Sequence, residues 1–290
     1  MFAIPGIVAL LAFIYARPQE YVPSLASLPL LYIFFFVAIF GLAIDLKLSN
    51  NKLLATPALP CALLFSAWSM ITVLFTAPRT LHIRLLELGI SFALFLVVAH
   101  GVQTLRMLGV VAGAVVAMVI FVTAIGIHQG FADTGCVLID ETNRGDHATG
   151  TADGRACQTS DQCYAGDAEP GGQYLCERIG LFGSHSVNAG RVRCRGVLQD
   201  PNELALAAGI GIPLAFAIGS RKKKIRHGLL SLLVLAAVIF CAVLTRSRGG
   251  QLVIVAVLGA YFLHRFGKKG AIVGALAAAP LLFFGGRSGS

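Results

Sequence analysis

Two arginines, Arg246 and Arg248, interrupt a long apolar stretch of the sequence. Residues 229–245 before them and 251–263 after them are almost wholly apolar, so the break Arg-Ser-Arg-Gly-Gly is too short for a domain and too charged for lipid. Guanidinium groups bind phosphate oxygens in bidentate fashion. A pair of them at the edge of a membrane therefore predicts a binding site for a lipid-linked phosphate.

A second polar constellation, Asp-Pro-Asn-Glu at 200–203, directly precedes another apolar stretch. Pro201 suits the first turn of a helix, and Asp200 or Asn202 can cap free backbone N–H groups, so a helix start is the plain structural interpretation. Glu203 then opens a stretch that contains no other charge. A carboxylate placed there beside arginines is either a charge partner or a base.

The elements that position these residues are membrane helices. Of the 290 residues, 57% are hydrophobic and 13% are charged, and the mean hydropathy is +0.79. These values predict an all-α fold, a polytopic transmembrane helical bundle of about nine spans with one large cysteine-containing external loop. The predicted spans are 2–16, 27–45, 57–77, 86–100, 107–127, 203–219, 229–245, 251–264 and 271–285. A signal peptide is the alternative for 2–16, but it lacks a basic start and a clean cleavage site.

Charge is distributed unevenly along the chain, and its distribution predicts the orientation. The segment 128–200 has ten acidic residues and six arginines, whereas the remaining chain is strongly basic. The short basic loops 220–227 and 265–269 belong on the cytoplasmic side, which places the N-terminus inside and the loop 128–202 outside. The domain organisation is thus 1–127, 128–202 and 203–290. The net charge of +9 is a topology signal and predicts no nucleic-acid partner.

The predicted external loops carry arginines against this charge rule. These four external loops are 17–26, 78–85, 128–202 and 246–250. Arginines at helix ends can reach the interface as simple anchors, which is the alternative for each of them. Their presence in all four loops instead favours a shared cationic cavity outside the membrane. Arg79 and Arg84 are candidates for that cavity on position alone.

Five of the seven cysteines cluster in the long polar loop, which indicates an oxidising compartment and disulfides. The candidates are Cys136, Cys157, Cys163, Cys176 and Cys194. Because five is odd, one thiol is left over or pairs between chains. Zinc is the less favoured alternative, since no Cys-x-x-Cys pair occurs. The loop is expected to be irregular up to about residue 170, apart from a small stapled insert at 157–176.

Two motifs taken together resemble the O-antigen ligase and polymerase superfamily. They are Gly-Val-Leu-Gln-Asp-Pro-Asn-Glu-Leu-Ala at 196–205 and Leu-Thr-Arg-Ser-Arg-Gly-Gly-Gln-Leu at 244–252, each at the end of a span. The early Tyr-Ala-Arg-Pro-Gln-Glu-Tyr at 15–21 is similar to the first external turn of some members. The resemblance extends over the whole chain, but only these motifs are distinctive.

The resemblance implies a multi-pass glycosyltransferase of the bacterial inner membrane. It would move a preassembled glycan from undecaprenyl diphosphate to lipid A core, another glycan or a protein hydroxyl, outside the membrane, with no cofactor and no metal. Arg246 and Arg248 would bind the diphosphate, and the two glycines after them would let the backbone approach it. The residues expected at this site, with Arg79 and Arg84 added on position, are Arg79, Arg84, Arg195, Asn202, Arg246, Arg248, Gly249 and Gly250.

The chain departs from the family's pattern at its C-terminal end. Members usually continue with a second large external loop that supplies an important histidine, so the resemblance implies a truncated product, a fragment of a split gene or a half-enzyme. The catalytic base is therefore unassigned; His185 is the external histidine nearest the motifs. A transporter or flippase of an anionic lipid or solute, and a noncatalytic subunit of a glycan assembly complex, are the alternative functions.

Overall fold

The computed structural model describes residues 2–286 except 21, 50, 53–55, 77, 140–149, 166–167, 169–170, 189–191, 194, 199 and 222–224. Within this part the chain is mostly helical. The helices are α1 (Ala3–Ala16), α2 (Pro23–Ala26), α3 (Leu30–Lys47), α4 (Leu59–Thr76), α5 (Leu81–Gly101), α6 (Leu105–Phe131), α7 (Pro201–Arg221), α8 (Ile225–Thr245) and α9 (Arg248–Gly286).

Six of these helices are long and apolar enough to cross a membrane, which indicates a multi-pass membrane protein. They correspond to α3 through α8; two shorter apolar stretches, α1 and the first part of α9, fall below the length of a full span. The prediction of nine separate spans is thus matched only in part. The predicted spans 251–264 and 271–285 both fall within α9, and the non-helical backbone of Gly267 (φ 63°, ψ −153°) separates them into two helical parts.

The long polar loop contains a small β-sheet that the sequence pattern did not predict. Its strands are β1 (Thr134–Ile139), β2 (Gly150–Ala156) and β3 (Gln173–Arg178), in the order β2-β1-β3, and both pairs are antiparallel. A separate two-stranded ladder joins β4 (Val187–Asn188) and β5 (Val192–Arg193). The expectation of an irregular loop up to residue 170 and of an all-α chain is therefore wrong for this segment.

Two disulfides hold the three-stranded sheet together. Cys136 pairs with Cys163, and Cys157 pairs with Cys176. All four cysteines are buried in one small core beside Tyr174. The disulfide interpretation is confirmed for these four, and a sulfur in a disulfide has no thiolate to offer a metal. Such crosslinks are typical of segments too small to bury a sufficient core of their own.

The chain divides into two compact units. The first, residues 1–14 and 24–111, has a core in which Ala3 and Ile7 of α1 meet Ala38 of α3 and Val97 of α5. Asp45 of α3 is fully buried and accepts a hydrogen bond from the N–H of Ala3 (3.0 Å), so a carboxylate caps the start of α1.

The second unit comprises residues 15–23 and 112–290. Its core joins Val122 and Ile125 of α6 to Leu204 of α7 and Cys241 of α8. Val197 and Leu198, in the segment that leads into α7, are buried in the same cluster. This apolar anchor fixes the end of the polar loop against the membrane helices, directly before the Asp-Pro-Asn-Glu sequence.

Candidate functional site

The turn between α8 and α9 is fastened to the first turn of α7 by hydrogen bonds. Ser247 is buried, and its hydroxyl donates to Asn202 Oδ1 (2.5 Å) while its oxygen accepts the N–H of Gly250 (2.9 Å). Ser247 therefore caps α9, as serine often caps helices. Thr245 also accepts the N–H of Ser247 (3.3 Å) and donates to the carbonyl of Ala242 (2.8 Å). The two motifs, 45 positions apart, thus form one structure.

The start of α7 has the geometry that its sequence predicts. Asp200 Oδ1 accepts the N–H of Asn202 (2.5 Å), and its carbonyl accepts the N–H of Leu204 (3.1 Å). Pro201 is the first helical residue. Asp200 is therefore the capping residue, while Asn202 connects α7 to the neighbouring turn.

Arg246 and Arg248 lie on either side of the buried Ser247, and both are exposed. Within the described part of the chain, neither guanidinium has a carboxylate partner. Arg246 has a left-handed backbone (φ 49°), and Arg248 is the first residue of α9. The first N–H groups of a helix lack intrahelical acceptors and attract anions. The turn therefore presents two guanidinium groups and a helix N-terminus at the same place.

Arg17 joins this end of the second unit through an ion pair. Its Nη2 donates to Glu203 Oε2 at 3.2 Å, across 186 positions of sequence. Arg17 follows α1 directly and, like Arg246, has a left-handed backbone (φ 45°). Three of the four predicted external loops are thereby linked at the start of α7, and Glu203 has the role of a charge partner.

The two glycines of the turn have different surroundings. A Cβ added to Gly250 would lie 2.1 Å from the Cβ of Ala205, so this glycine allows close packing of α9 on α7. A Cβ added to Gly249 would meet no described atom within 4 Å, and Gly249 is exposed. Only Gly249 thus offers open backbone to a ligand, whereas Gly250 serves helix packing.

Arg195 is buried rather than presented to an external cavity. Its Nη2 donates to His185 Nε2 (2.6 Å), its Nε donates to the His185 carbonyl (2.8 Å), and 6% of the residue is exposed. Because an arginine has only donors, His185 Nε2 accepts and its Nδ1–H points to Glu177. His185 is therefore held between two buried partners, and Arg195 connects this part of the loop through its buried side chain.

Gln129 of α6 completes this support. It is fully buried, and its Oε1 accepts the N–H groups of both Arg195 (2.9 Å) and Gly196 (3.1 Å). Gly196 turns the chain there with φ 60°. Sequence reasoning missed Gln129 and Ser247; the available signals were an isolated amide in an apolar helix and a serine just before a helix start.

The other two candidate arginines are in the predicted loop 78–85. Arg79 and Arg84 belong to the first unit, where both are exposed and Arg84 Nη1 donates to Glu87 Oε2 at 2.8 Å. Cys194 falls outside the described residues.

Comparisons with protein-family models, with curated proteins and with solved structures found no match to this chain.

Proposed function

We propose that this chain is a glycosyltransferase of the bacterial inner membrane, similar to O-antigen ligases, that uses a glycan carried on undecaprenyl diphosphate. The observation that supports it most is the hydrogen bond between Ser247 and Asn202, which joins the two motifs and leaves Arg246 and Arg248 exposed beside them. This arrangement is suited to a diphosphate at a membrane surface.

The chemistry of glycan transfer explains why two arginines belong together. An acceptor hydroxyl attacks the anomeric carbon of the donor and gives up its proton to a general base, the new C–O bond forms, and the bond to the diphosphate breaks. The diphosphate leaves with the electron pair, so negative charge develops on its oxygens. Guanidinium groups already aimed at those oxygens stabilise the transition state without reorganisation. The acceptor is a lipid A core, another glycan or a protein.

The proposal includes an orientation of the chain. The N-terminus is cytoplasmic, the loop 128–202 is periplasmic, and the nine predicted apolar stretches all serve as spans. The short ones tilt little, extend into flanking residues or lie in thinned bilayer. The arginine turn then lies on the periplasmic side with the disulfide-bonded sheet. An oxidising periplasm supports the two disulfides.

Glycan transfer in membranes of a strain that lacks this gene tests the proposal. Complementation with the native chain should restore surface glycan. The Arg246→Ala and Arg248→Ala variants should each reduce the transfer rate at least about tenfold, because a charge-assisted hydrogen bond contributes about 1.5–3 kcal/mol. The measurement is the rate at which labelled glycan leaves the lipid carrier.

Arg106 provides a matched control, since it is an exposed arginine at the other end of α6. Arg106→Ala should transfer glycan at the native rate. If the native chain inserts stably and transfers nothing, it is a noncatalytic subunit. If it moves the lipid carrier across proteoliposomes without transfer, it is a transporter.

A further inference from the structure

A cavity of about 490 Å³ lies where α6 ends and the three-stranded sheet begins. It is lined by the last turn of α6, by the first residues of β1 and by the end of β2. Its volume is in the range that accommodates small organic ligands. The proposed glycan transfer does not involve this cavity.

The lining combines hydrogen-bonding groups with an aromatic ring. His128 and Asp133 are exposed to the cavity, and within the described part of the chain neither side chain has a hydrogen-bond partner. Phe131, 68% exposed, lines the same cavity and stacks on Phe240 of α8 with 6.0 Å between ring centroids. The cavity therefore offers a carboxylate, an imidazole and an apolar ring face together.

The walls of the cavity are fixed by the sheet. The register of β1 against β2 shifts between Gly135 and Val137, and such bulges commonly occur beside binding sites. A Cβ at Gly135 would lie 2.4 Å from Ile179 Cδ1 and 3.2 Å from the Arg155 carbonyl oxygen, so a larger residue here would require the Ile179 side chain to move. Thr134 donates its hydroxyl to the carbonyl of Cys157 (2.5 Å), which ties the wall to a disulfide.

The charges around the cavity disfavour an anionic ligand. Arg155 is its lining guanidinium, but it donates to Asp153 Oδ2 from both Nε (2.7 Å) and Nη2 (2.5 Å). Burial raises the pKa of the Asp153 carboxyl, but the hydrogen bonds and charge of Arg155 outweigh it and the net shift is downward. The guanidinium charge of Arg155 is thus paired with the Asp153 carboxylate, and the carboxylate that lines the cavity, Asp133, disfavours phosphate by like-charge repulsion.

We infer that this cavity binds neutral carbohydrate, one or two sugar rings in size. Sugar hydroxyls both donate and accept, so they match the Asp133 carboxylate and the His128 imidazole, while the apolar face of a sugar ring packs on Phe131. This assigns a binding role to the disulfide-bonded sheet. The inference rests on the proposed function in one respect, which is that the bound sugar is part of the transferred or the accepting glycan.

The cavity lies close to the arginine turn. A Cβ at Gly130 would lie 2.7 Å from Leu244 Cδ1, so the last turn of α6 packs on the last turn of α8, directly before Arg246. Both sites belong to the second unit. An anionic group at the arginine turn and a neutral sugar in the cavity therefore occupy neighbouring positions at the same end of α6 and α8.

Saturation-transfer NMR on the full chain in lipid nanodiscs, with its disulfides intact, tests this inference. The probes are maltose, cellobiose, lactose and diacetylchitobiose, with inorganic pyrophosphate as competitor. At least one disaccharide should receive saturation from the protein, and pyrophosphate should not displace it. Asp133→Ala and His128→Ala should each weaken its binding about tenfold, as expected for loss of a hydrogen bond to a charged or strongly polar group.

Asp161→Ala is the matched control, because Asp161 is an exposed carboxylate in the same loop and does not line the cavity. It should leave disaccharide binding unchanged. The inference would be overturned if no disaccharide received saturation from the protein. It would also be overturned if the Asp133 and His128 variants bound the disaccharide as tightly as the native chain, or if pyrophosphate displaced it. Sugar binding without any glycan transfer would instead contradict the proposed function and leave the cavity's role standing.

Discussion

Arg17 and Arg246 each follow the last residue of an apolar helix, and each has a left-handed backbone. This position after a helix is commonly occupied by glycine, because a side chain there strains the backbone by about 1 kcal/mol or more. Strained residues often occur at functional sites. At Arg246 the strain coincides with an exposed guanidinium, which supports a role in binding rather than in stability.

This strain makes Arg246→Gly a sharper variant than Arg246→Ala. Glycine adopts positive φ freely, so we expect Arg246→Gly to be more stable than Arg246→Ala by about 1 kcal/mol. Both variants should transfer glycan at least about tenfold more slowly than the native chain. The free energy of unfolding, measured by denaturant titration in a fixed detergent, distinguishes them. Equal stabilities would show that the backbone at Arg246 is unstrained.

Much of the site at residue scale could be predicted from local sequence. The Asp200 cap and Pro201 at the first helical position follow from rules that involve only neighbouring residues, and the structure confirms them. The Ser247–Asn202 hydrogen bond and the burial of Arg195 could not be predicted. Both depend on which segments the tertiary fold brings together, and no pattern within either motif encodes that.

Helix packing explains why adjacent glycines in the arginine turn differ. Gly250 lies against Ala205, whereas Gly249 has open space around it. Gly250→Ala should therefore separate α9 from α7 and lower the free energy of unfolding by about 1–3 kcal/mol, as overpacking does. Gly249→Ala is the matched control.

Thermal unfolding of the two purified variants in the same detergent measures this difference. We expect the Gly249 variant to unfold near the native temperature, because alanine is also a better helix former than glycine. A Gly250 variant as stable as the Gly249 variant would mean that α7 and α9 do not pack closely at this point.

Among the elements, the helices were predicted well and the sheet was not. Long apolar stretches specify membrane helices because the bilayer requires them, and α3 through α8 coincide with predicted spans. The strand β2, Gly-Thr-Ala-Asp-Gly-Arg-Ala, has few residues that favour strands. Two disulfides and pairing with β1 stabilise it instead, and neither the pairing of strands nor of cysteines is encoded in local periodicity.

At the scale of the whole molecule, the second compact unit contains all or most of three of the four loops that the charge distribution predicts to be external. The predicted external loops 128–202 and 246–250, and residues 17–23 of the predicted external loop 17–26, belong to that unit. Contacts at Glu203, Asn202 and Gln129 connect them. The predicted loop 78–85, which carries Arg79 and Arg84, belongs to the first unit.

The affinity of the full chain for undecaprenyl diphosphate in lipid nanodiscs tests the central claim most directly. The Arg246→Ala, Arg248→Ala double variant should bind at least about a hundredfold more weakly than the native chain, since two charge-assisted contacts are lost. Arg106→Ala should bind as tightly as the native chain. A double variant whose dissociation constant stays within about threefold of the native value would contradict the assignment of the diphosphate to this turn.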